Sequence, residues 1–238
     1  MQISFHTLGD EAMLINFEQK IEEHINDKVH VLNNEIELAQ HPAIRYTVPG
    51  YCSITIAFNK DQISYKALTQ FVLKFTKTNM KDKVATRTLY IPVCYDRTFA
   101  LDLNEVCQQT NLSASEVIHL HTSTALRTYM IGFLPGFPYL GKLPEEMFCA
   151  RKDNPRLKVP QGAVAIAGLQ AGIYPKVSPG GWQIIGKTPI NLISNKFSQP
   201  FLIQPGDIVR FYSISKNMFN SILKEQEQGL FCWENIYG

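Results

Sequence analysis

The chain has 238 residues, of which 45% are hydrophobic and 18% are charged, and its formal net charge is +2. These values are typical of a globular protein with one or two domains, and they predict neither nucleic acid nor an anionic membrane as a partner. No signal-peptide layout, no apolar run of the roughly 20 residues that span a bilayer and no C-x-x-C pair among the five cysteines are present, so we expect a cytoplasmic protein without a metal site.

Residues 1–80 are predicted to form a small α+β domain. Apolar residues alternate in its strands and recur at helical spacing in its two helices, which is typical of one sheet with two helices on one face. A polar run from Lys77 to Lys83 is the predicted domain boundary. The predicted strands and helices are, in chain order, Ile3–Leu8, Ala12–Phe17, Ile21–Ile36, Ile44–Val48, Ser53–Phe58 and Tyr65–Phe75.

Residues 84–214 are predicted to form a β-barrel domain, because many short β-rich segments alternate with Gly/Pro turns. A short helix is predicted over Leu103–Gln109, and a second from a capping box at Ser113 to about His121. The C-terminal tail, residues 215–238, is predicted to be helical. The predicted strands are Val84–Val93, Arg127–Phe133, Ala163–Ala167, Gly172–Val177, Gln183–Ile185, Ile190–Ile193 and Ile208–Tyr212.

Two Gly/Pro-rich runs mark the candidate functional face, Ile131–Gly141 (IGFLPGFPYLG) and Pro179–Pro189 (PGGWQIIGKTP). Glycine opens backbone conformations that other residues avoid, and shaped loops on a rigid scaffold often carry function. Gly181–Thr188 also matches the P-loop pattern G-x-x-x-x-G-K-[ST]. Tryptophan and isoleucines fill its loop positions and a proline follows, so we predict a strand there and no P-loop.

These runs and several shorter motifs, in the same order, resemble the family of 5-oxoprolinase B subunits, also called the KipI or allophanate hydrolase subunit 1 family. The resemblance extends from about Leu8 to Tyr212 and implies a cyclophilin-like β-barrel for the second domain. The shorter motifs are Leu8–Asp10, Val48–Tyr51, Ile91–Val93, Val159–Gly162, Ile166–Gly168, Gly172–Pro175 and Pro205–Asp207.

The resemblance also implies a function, along more than one branch. Some members act with a C subunit, alongside an A subunit, to open 5-oxoproline to L-glutamate at the expense of ATP, which we expect to bind with Mg. Others inhibit a sensor histidine kinase, and related domains contribute to the carboxyltransferase site of urea carboxylase. The sequence shows no Ser-His-Asp order, G-x-S-x-G elbow or metal-ligand cluster, so we expect another protein of the complex to complete the site.

We predict that a basic, glycine-lined pocket binds the substrate. His121 is the candidate acid or base, with a structural role as the alternative, and Lys187 is the second catalytic candidate. Arg156 is favoured among the four cations of Arg151–Lys158 because its planar fork suits a carboxylate or phosphate; a solvated surface loop is the alternative. The other predicted substrate-binding residues are Gln170, Tyr174, Gly136, Gly180 and Gly181.

Three aromatic residues, Phe137, Tyr139 and Trp182, are predicted to bind a partner. Phe137 and Tyr139 are expected to be the exposed pair, because they stand between prolines and glycines. Large aromatic side chains are equally common in a barrel core, and that alternative stays open.

Overall fold

The computed structural model describes residues 3–76, 86–194 and 200–237. The chain divides into two compact units, Met1–Thr86 and Arg87–Gly238, each with its own hydrophobic core. The predicted boundary over Lys77–Lys83 lies outside the described residues. None of the helices in the described ranges is long and apolar enough to cross a membrane.

The first unit is a single antiparallel sheet with two helices. Its elements are β1 Ser4–Thr7, β2 Ala12–Asn16, α1 Glu23–Leu38, β3 Ile44–Pro49, β4 Ser53–Phe58 and α2 Tyr65–Phe75. The strand order is β1-β2-β4-β3. Alternate residues of β2 and β4, such as Ile15 and Ile56, share one core with Leu32 of α1 and Leu68 of α2. Each segment predicted from the apolar pattern has its counterpart here, with small shifts at the ends.

The second unit is a curled seven-stranded sheet with helices packed against it. Its elements are β5 Thr88–Val93, α3 Leu103–Thr110, α4 Ala114–Ser123, β6 Ala125–Ile131, β7 Pro138–Gly141, β8 Arg156–Val159, β9 Ala163–Ala167, β10 Gln170–Ile173, β11 Ser178–Gly180, β12 Gln183–Lys187, β13 Ile208–Ser213 and α5 Lys216–Glu227. The strand order is β12-β9-β10-β7-β6-β13-β5, and β8 pairs with β11 in a separate ribbon.

The two edge strands of this sheet meet at one antiparallel bridge. Cys94, next to the end of β5, exchanges two backbone hydrogen bonds with Lys187 of β12, with N···O distances of 2.8 and 3.0 Å. This bridge brings the sheet round into a nearly closed barrel. The barrel is filled by apolar residues from both of its edges, including Val93 and Ile185.

Several predicted strand boundaries are wrong. The first barrel strand, predicted over Val84–Val93, lies outside the described residues at 84–85 and begins at Thr88. The strand predicted over Gly172–Val177 is instead Gln170–Ile173. The segment Ile190–Ile193 is not a strand; it carries one isolated bridge, from Ile193 to Phe201. The strands β7, β8 and β11 are absent from the sequence-based prediction, because prolines and glycines interrupt or flank them and lower their apparent strand propensity.

The helices of the second unit begin where the sequence predicts. The capping box is present, since the Ser113 hydroxyl accepts from the Glu116 N–H at 3.3 Å and the Ser113 N–H donates to the Glu116 carboxylate at 2.7 Å. The C-terminal helix α5 is capped in the same manner by Ser215, which accepts from the Met218 N–H at 3.2 Å. Its buried Ile222 joins the barrel core, so α5 packs onto the barrel.

Candidate functional site

A pocket of about 280 Å³ opens on one face of the second unit. The loop between β6 and β7, the loop before β8, the segment after β10 and the turn from β11 to β12 form its walls. Six of the predicted site residues meet here. The lining residues are Phe133, Phe137, Tyr139, Arg151, Lys152, Pro155, Tyr174, Pro179, Gly180, Gly181 and Trp182. We call it the aromatic pocket.

The walls of the aromatic pocket are aromatic rings packed edge to face. Phe137 is at the centre, with ring centroids at 5.0 Å from Tyr139, 5.1 Å from Tyr174 and 5.5 Å from Trp182. This arrangement places the positive edge of one ring against the negative face of the next, which is the favoured geometry for aromatic pairs. Only part of each ring surface therefore faces the pocket, and the cluster forms a rigid wall.

Two glycines make room for these rings. A Cβ at Gly172 would lie 2.6 Å from Cζ of Phe137, and a Cβ at Gly180 would collide with the Tyr174 hydroxyl. Cβ atoms in proteins are essentially never within 3.0 Å of a non-bonded heavy atom, so a side chain at either position would displace a ring. The close approach of ring to backbone accounts for glycine at both positions.

Phe133 forms the exposed rim of the aromatic pocket. Its side chain is 59% exposed, and its ring lies 5.6 Å from that of Phe137. The backbone at Phe133 has a φ of +61°, which is uncommon for a bulky residue and often accompanies a functional loop. This geometry ends the strand β6 at Ile131, although the sequence predicts it as far as Phe133.

The cations around the aromatic pocket fall into two groups. Lys152 and Arg156 form ion pairs with Asp102, and Lys152 also pairs with Glu105. Arg151 instead has its guanidinium carbon 5.7 Å from the centroid of the Trp182 ring. Within residues 3–76, 86–194 and 200–237, no carboxylate pairs with Arg151. Arg151 is therefore a pocket cation whose charge is not neutralised by a nearby carboxylate of the described chain.

Asp102 anchors the loop that carries Arg151. Its buried carboxylate accepts two hydrogen bonds from Arg156, at 2.6 and 2.8 Å, one from Lys152 at 3.1 Å and one from the Ile184 N–H at 2.8 Å. Burial opposes ionisation of Asp102, but these donors outweigh it, so the pKa of Asp102 is lowered. The carboxylate is thus charged at neutral pH and ties β8 and its preceding loop to α3 and β12.

The two phenols of the aromatic pocket remain neutral at neutral pH. Burial raises the pKa of Tyr139 and of Tyr174, and the nearby positive charge of Arg151 only partly opposes that shift. A neutral phenol can donate a hydrogen bond to a carbonyl or carboxylate oxygen. The pocket therefore combines apolar ring surface, one unneutralised cation and phenolic hydroxyl groups.

His121 does not reach this pocket. Its side chain is 0% exposed, its Nδ1 is hydrogen-bonded to the Tyr95 hydroxyl at 2.7 Å, and its ring stacks on Phe211 at 4.4 Å. Burial lowers the pKa of His121 to about 3, so the imidazole is neutral. This burial opposes the predicted role of His121 as a catalytic acid or base and favours the structural alternative.

Lys187 lies in a different cleft, of about 420 Å³, between α5 and the segment after β12. Its ammonium is 5.7 Å from the centroid of the Phe99 ring and 5.9 Å from that of Phe219. The two clefts share no lining residue, so the structure does not bring Lys187 to the aromatic pocket. The strand β12 runs through the Gly-Lys step, where a P-loop would begin its helix, so the backbone over Gln183–Lys187 has the predicted strand conformation.

Three of the predicted substrate-binding residues lie outside the aromatic pocket, namely Arg156, Gln170 and Gly136. Arg156 has both guanidinium arms on Asp102, and Gln170 begins β10 opposite Gly141. Gly136 occupies a turn with a φ of +83°, where a Cβ would meet Phe201 and Ile193. None of the three lines the aromatic pocket.

The predicted exposure of the aromatic residues needs correction. Phe137 is only 1% exposed and Trp182 6%, whereas Tyr139 is partly exposed. The prediction that Phe137 and Tyr139 form an exposed pair is therefore wrong for Phe137, whose ring is held against Gly172. The rings line a recess, and Phe133 is the aromatic residue that projects.

The sequence does not single out Arg151, Lys152 or Asp102 as individual site residues. The loop of four cations is plain in the sequence, but a choice among them depends on Asp102, which lies 50 positions before Lys152 in the chain. No local signal distinguishes the paired cations from Arg151. Among the described residues, no group of three or more His, Cys, Asp or Glu side chains could hold a metal ion.

The chain matches known proteins along most of its length. Residues 3–203 match a family model described as the carboxyltransferase domain, subdomain C and D. The chain is 38% identical over 230 residues to the B subunit of 5-oxoprolinase from Bacillus subtilis (strain 168), and the alignment covers 92% of this chain and 95% of the relative.

Several solved structures are similar to the chain, and two of them represent the range. The protein TTHA0988 is 32% identical with a TM-score of 0.75, over 86% of this chain and 40% of that one. The Kluyveromyces lactis urea carboxylase is 19% identical with a TM-score of 0.81, over 96% of this chain and 23% of that one. The chain thus spans less than half of either solved protein, and the second likeness concerns the fold alone.

Proposed function

This chain belongs to the family of 5-oxoprolinase B subunits, and from that premise we propose that it is one component of an ATP-dependent enzyme that converts 5-oxo-L-proline to L-glutamate. The observation that carries the proposal is the 38% identity to a bacterial 5-oxoprolinase B subunit along nearly the full length of both chains. The similarity is not confined to one motif or one unit, since the family model matches residues 3–203.

The composition of the aromatic pocket indicates that this chain does not catalyse the reaction alone. It offers a cation, phenols and apolar surface, but its lining residues include no Ser, Cys, His, Asp or Glu that would serve as nucleophile or base. A partner has to supply those groups. We expect a homologue of the 5-oxoprolinase C subunit to complete the site and an A subunit to join the complex.

ATP supplies the driving force that lactam opening requires. Transfer of the γ-phosphoryl group to the lactam oxygen would release ADP and activate the ring carbon toward water. Attack by water there with cleavage of the C–N bond, followed by release of the phosphate by a second water, would give L-glutamate and phosphate. This chain has a strand where its sequence matches a P-loop, so its own share is to bind and orient the lactam. ATP, with Mg, is assigned to the part of the site shared with the C subunit.

Two further assignments accompany this function. A cyclophilin-like topology for the barrel fits the curled seven-stranded sheet with its bridged edges. A cytoplasmic location fits the five cysteines, all of which are free thiols.

Reconstitution tests the proposed function. The purified chain is mixed with the homologous A and C subunits, and glutamate release from 5-oxoproline is measured with and without ATP. We expect turnover that requires ATP and disappears when this chain is omitted. Turnover that continues without the chain would contradict the proposal.

The same preparation separates the two alternatives implied by the resemblance. Urea is offered in place of 5-oxoproline, and the chain is added to an autophosphorylating sensor histidine kinase. No turnover of 5-oxoproline, combined with slower autophosphorylation, would replace the enzyme assignment with a kinase inhibitor.

A further inference from the structure

We propose that the aromatic pocket is the recognition site for the carboxylate-bearing lactam ring, with Arg151 as the partner of the carboxylate. The identity of the ligand rests on the proposed function, whereas the location and chemistry of the site rest on the geometry of the described residues.

The size and walls of the pocket favour a small ring compound. Its volume of about 280 Å³ is near the lower limit of ligand pockets, roughly 300 Å³. The rings of Phe137, Tyr174 and Trp182 are recessed and almost fully buried, so they form the floor of a small and rigid apolar recess. A five-membered lactam offers the matching shape, with two planar faces and polar atoms at its edge.

The charge distribution favours an anion at one end of the pocket. Lys152 and Arg156 are neutralised by Asp102 and Glu105, which leaves Arg151 as the lining residue whose charge has no carboxylate partner among the described residues. Its contact with the Trp182 ring holds the guanidinium at the pocket wall. A guanidinium held in this way can bind a carboxylate through two parallel hydrogen bonds.

The loop carrying Arg151 is held in place from both sides. The Lys152 N–H donates to the Gly181 carbonyl at 2.8 Å, and its ammonium donates to Asp102 at 3.1 Å. Pro155 packs near Gly181, where an added Cβ would be 3.4 Å from the proline ring. Asp102 is therefore a positioning residue for the site, because it fixes the loop without lining the pocket.

A segment of a partner protein fits the pocket less well. Among the described lining residues Phe133 projects, whereas Phe137 and Trp182 are recessed, so the pocket is a narrow hollow and not a broad docking face. The recess and its single unpaired cation match a solute of low molecular weight. Phe133 stands at the rim of that recess, with its ring 5.6 Å from that of Phe137.

Direct binding tests the assignment through Trp182, one of two tryptophans in the chain. The Trp233→Phe variant retains Trp182 alone, so its tryptophan emission reports on the pocket. This variant is titrated with 5-oxo-L-proline and with its uncharged carboxamide, and the change in emission is measured. We expect Arg151→Gln to weaken binding of the carboxylate by roughly tenfold or more, and to leave binding of the carboxamide unchanged. Lys158→Gln removes an exposed charge from β8, outside the pocket, and should alter neither.

Kinetics of the reconstituted complex give a second measurement that does not depend on the Trp233 change. Arg151→Gln should raise KM for 5-oxoproline and leave kcat nearly constant, because the carboxylate contact is the same in the ground state and the transition state. An unchanged KM, or equal weakening of carboxylate and carboxamide, would overturn the assignment.

The two proposals fail in different ways. If turnover requires this chain but is unchanged in Arg151→Gln, the proposed function stands and the assignment of the aromatic pocket as the recognition site is rejected. If 5-oxoproline binds in a manner that depends on Arg151 but the complex shows no turnover, the assignment of the pocket stands and the proposed enzymatic function is rejected.

Discussion

At the scale of single residues, the adjacent glycines Gly180 and Gly181 have different constraints. A Cβ on Gly180 would collide with the Tyr174 hydroxyl, whereas a Cβ on Gly181 would meet Pro155 at ordinary van der Waals distance, 3.4 Å. We expect Gly180→Ala to destabilise the protein by about 1–3 kcal/mol through overpacking and to weaken ligand binding. Thermal unfolding and the Trp182 titration measure both effects.

Gly181→Ala is the matched control for the stability measurement, and it should be nearly neutral in thermal unfolding. Tyr174→Phe, which removes the oxygen that a Cβ at Gly180 would meet first, should restore part of the lost stability in the double variant. Equal effects of the two alanine variants would contradict the steric explanation.

His121 should make the stability of the protein dependent on acidity. Its pKa is about 3 in the folded protein and roughly 6.5 in an unfolded chain, so the unfolded state binds more protons below pH 6.5. Stability is therefore complete above that pH and is lost as the pH falls toward 3. Between pH 6.5 and 5 this group alone costs about 2 kcal/mol.

Urea unfolding at pH 7 and at pH 5 measures the effect. His121→Gln keeps a polar acceptor near the Tyr95 hydroxyl but does not titrate, so its free energy of unfolding should fall less between the two pH values. His119→Gln, at an exposed histidine on the same helix, should retain the pH dependence of the unaltered protein.

At the scale of elements, Asp102 connects the beginning of α3 with β8 and β12. Asp102→Asn leaves Arg156 and Lys152 without their buried partner, and we expect a loss of about 3 kcal/mol in unfolding free energy. KM for 5-oxoproline should rise while kcat is retained, because the loop carrying Arg151 is no longer fixed. Unfolding curves and steady-state kinetics report the two effects.

Glu105→Gln provides the comparison for Asp102→Asn. The Glu105 side chain is much more exposed than that of Asp102, so its pairing with Lys152 is screened by solvent. A smaller loss of stability and an unchanged KM are expected. A KM that responds equally to both variants would argue against a positioning role for Asp102.

The elements show where local sequence is informative. The strands β9 and β13 and the capping box of α4 are predictable, because β-branched residues and a Ser-x-x-Glu pattern act within a few positions. The strand β11, Ser178–Gly180, contains a proline and a glycine and is paired only through contact with β8. Pairing of that kind is set by the tertiary structure and leaves little local trace.

At the scale of the whole molecule, the two units have separate cores. Leu68→Ala removes a fully buried side chain from the core of the first unit, and we expect a local loss of about 2–5 kcal/mol. Hydrogen exchange should quicken in residues 3–76 and stay unchanged in the barrel. Leu38→Ala, at a side chain that is 77% exposed, should have little effect on either unit.

The positions of the candidate site residues in the whole molecule explain which of them could be predicted. The two Gly/Pro-rich runs do meet, and they bring Phe137, Tyr139 and Trp182 together. His121 and Lys187 are predicted to join them because of their residue chemistry and because the resemblance to the family includes their positions. Their actual positions depend on the direction of a helix face and on the closure of the barrel, which no local pattern records.

The C-terminal helix α5 packs against the strand edge that contains the bridge between Cys94 and Lys187. The Phe219 ring lies beneath the Lys187 ammonium, and Gln226 donates to the Pro189 carbonyl at 2.8 Å, so α5 contacts the chain where β12 ends. A chain shortened after Ser213 would leave two strand edges free to pair with other copies. We expect light scattering to show concentration-dependent aggregation of this shortened chain, and an unaltered particle size would contradict a protective role for the C-terminal segment.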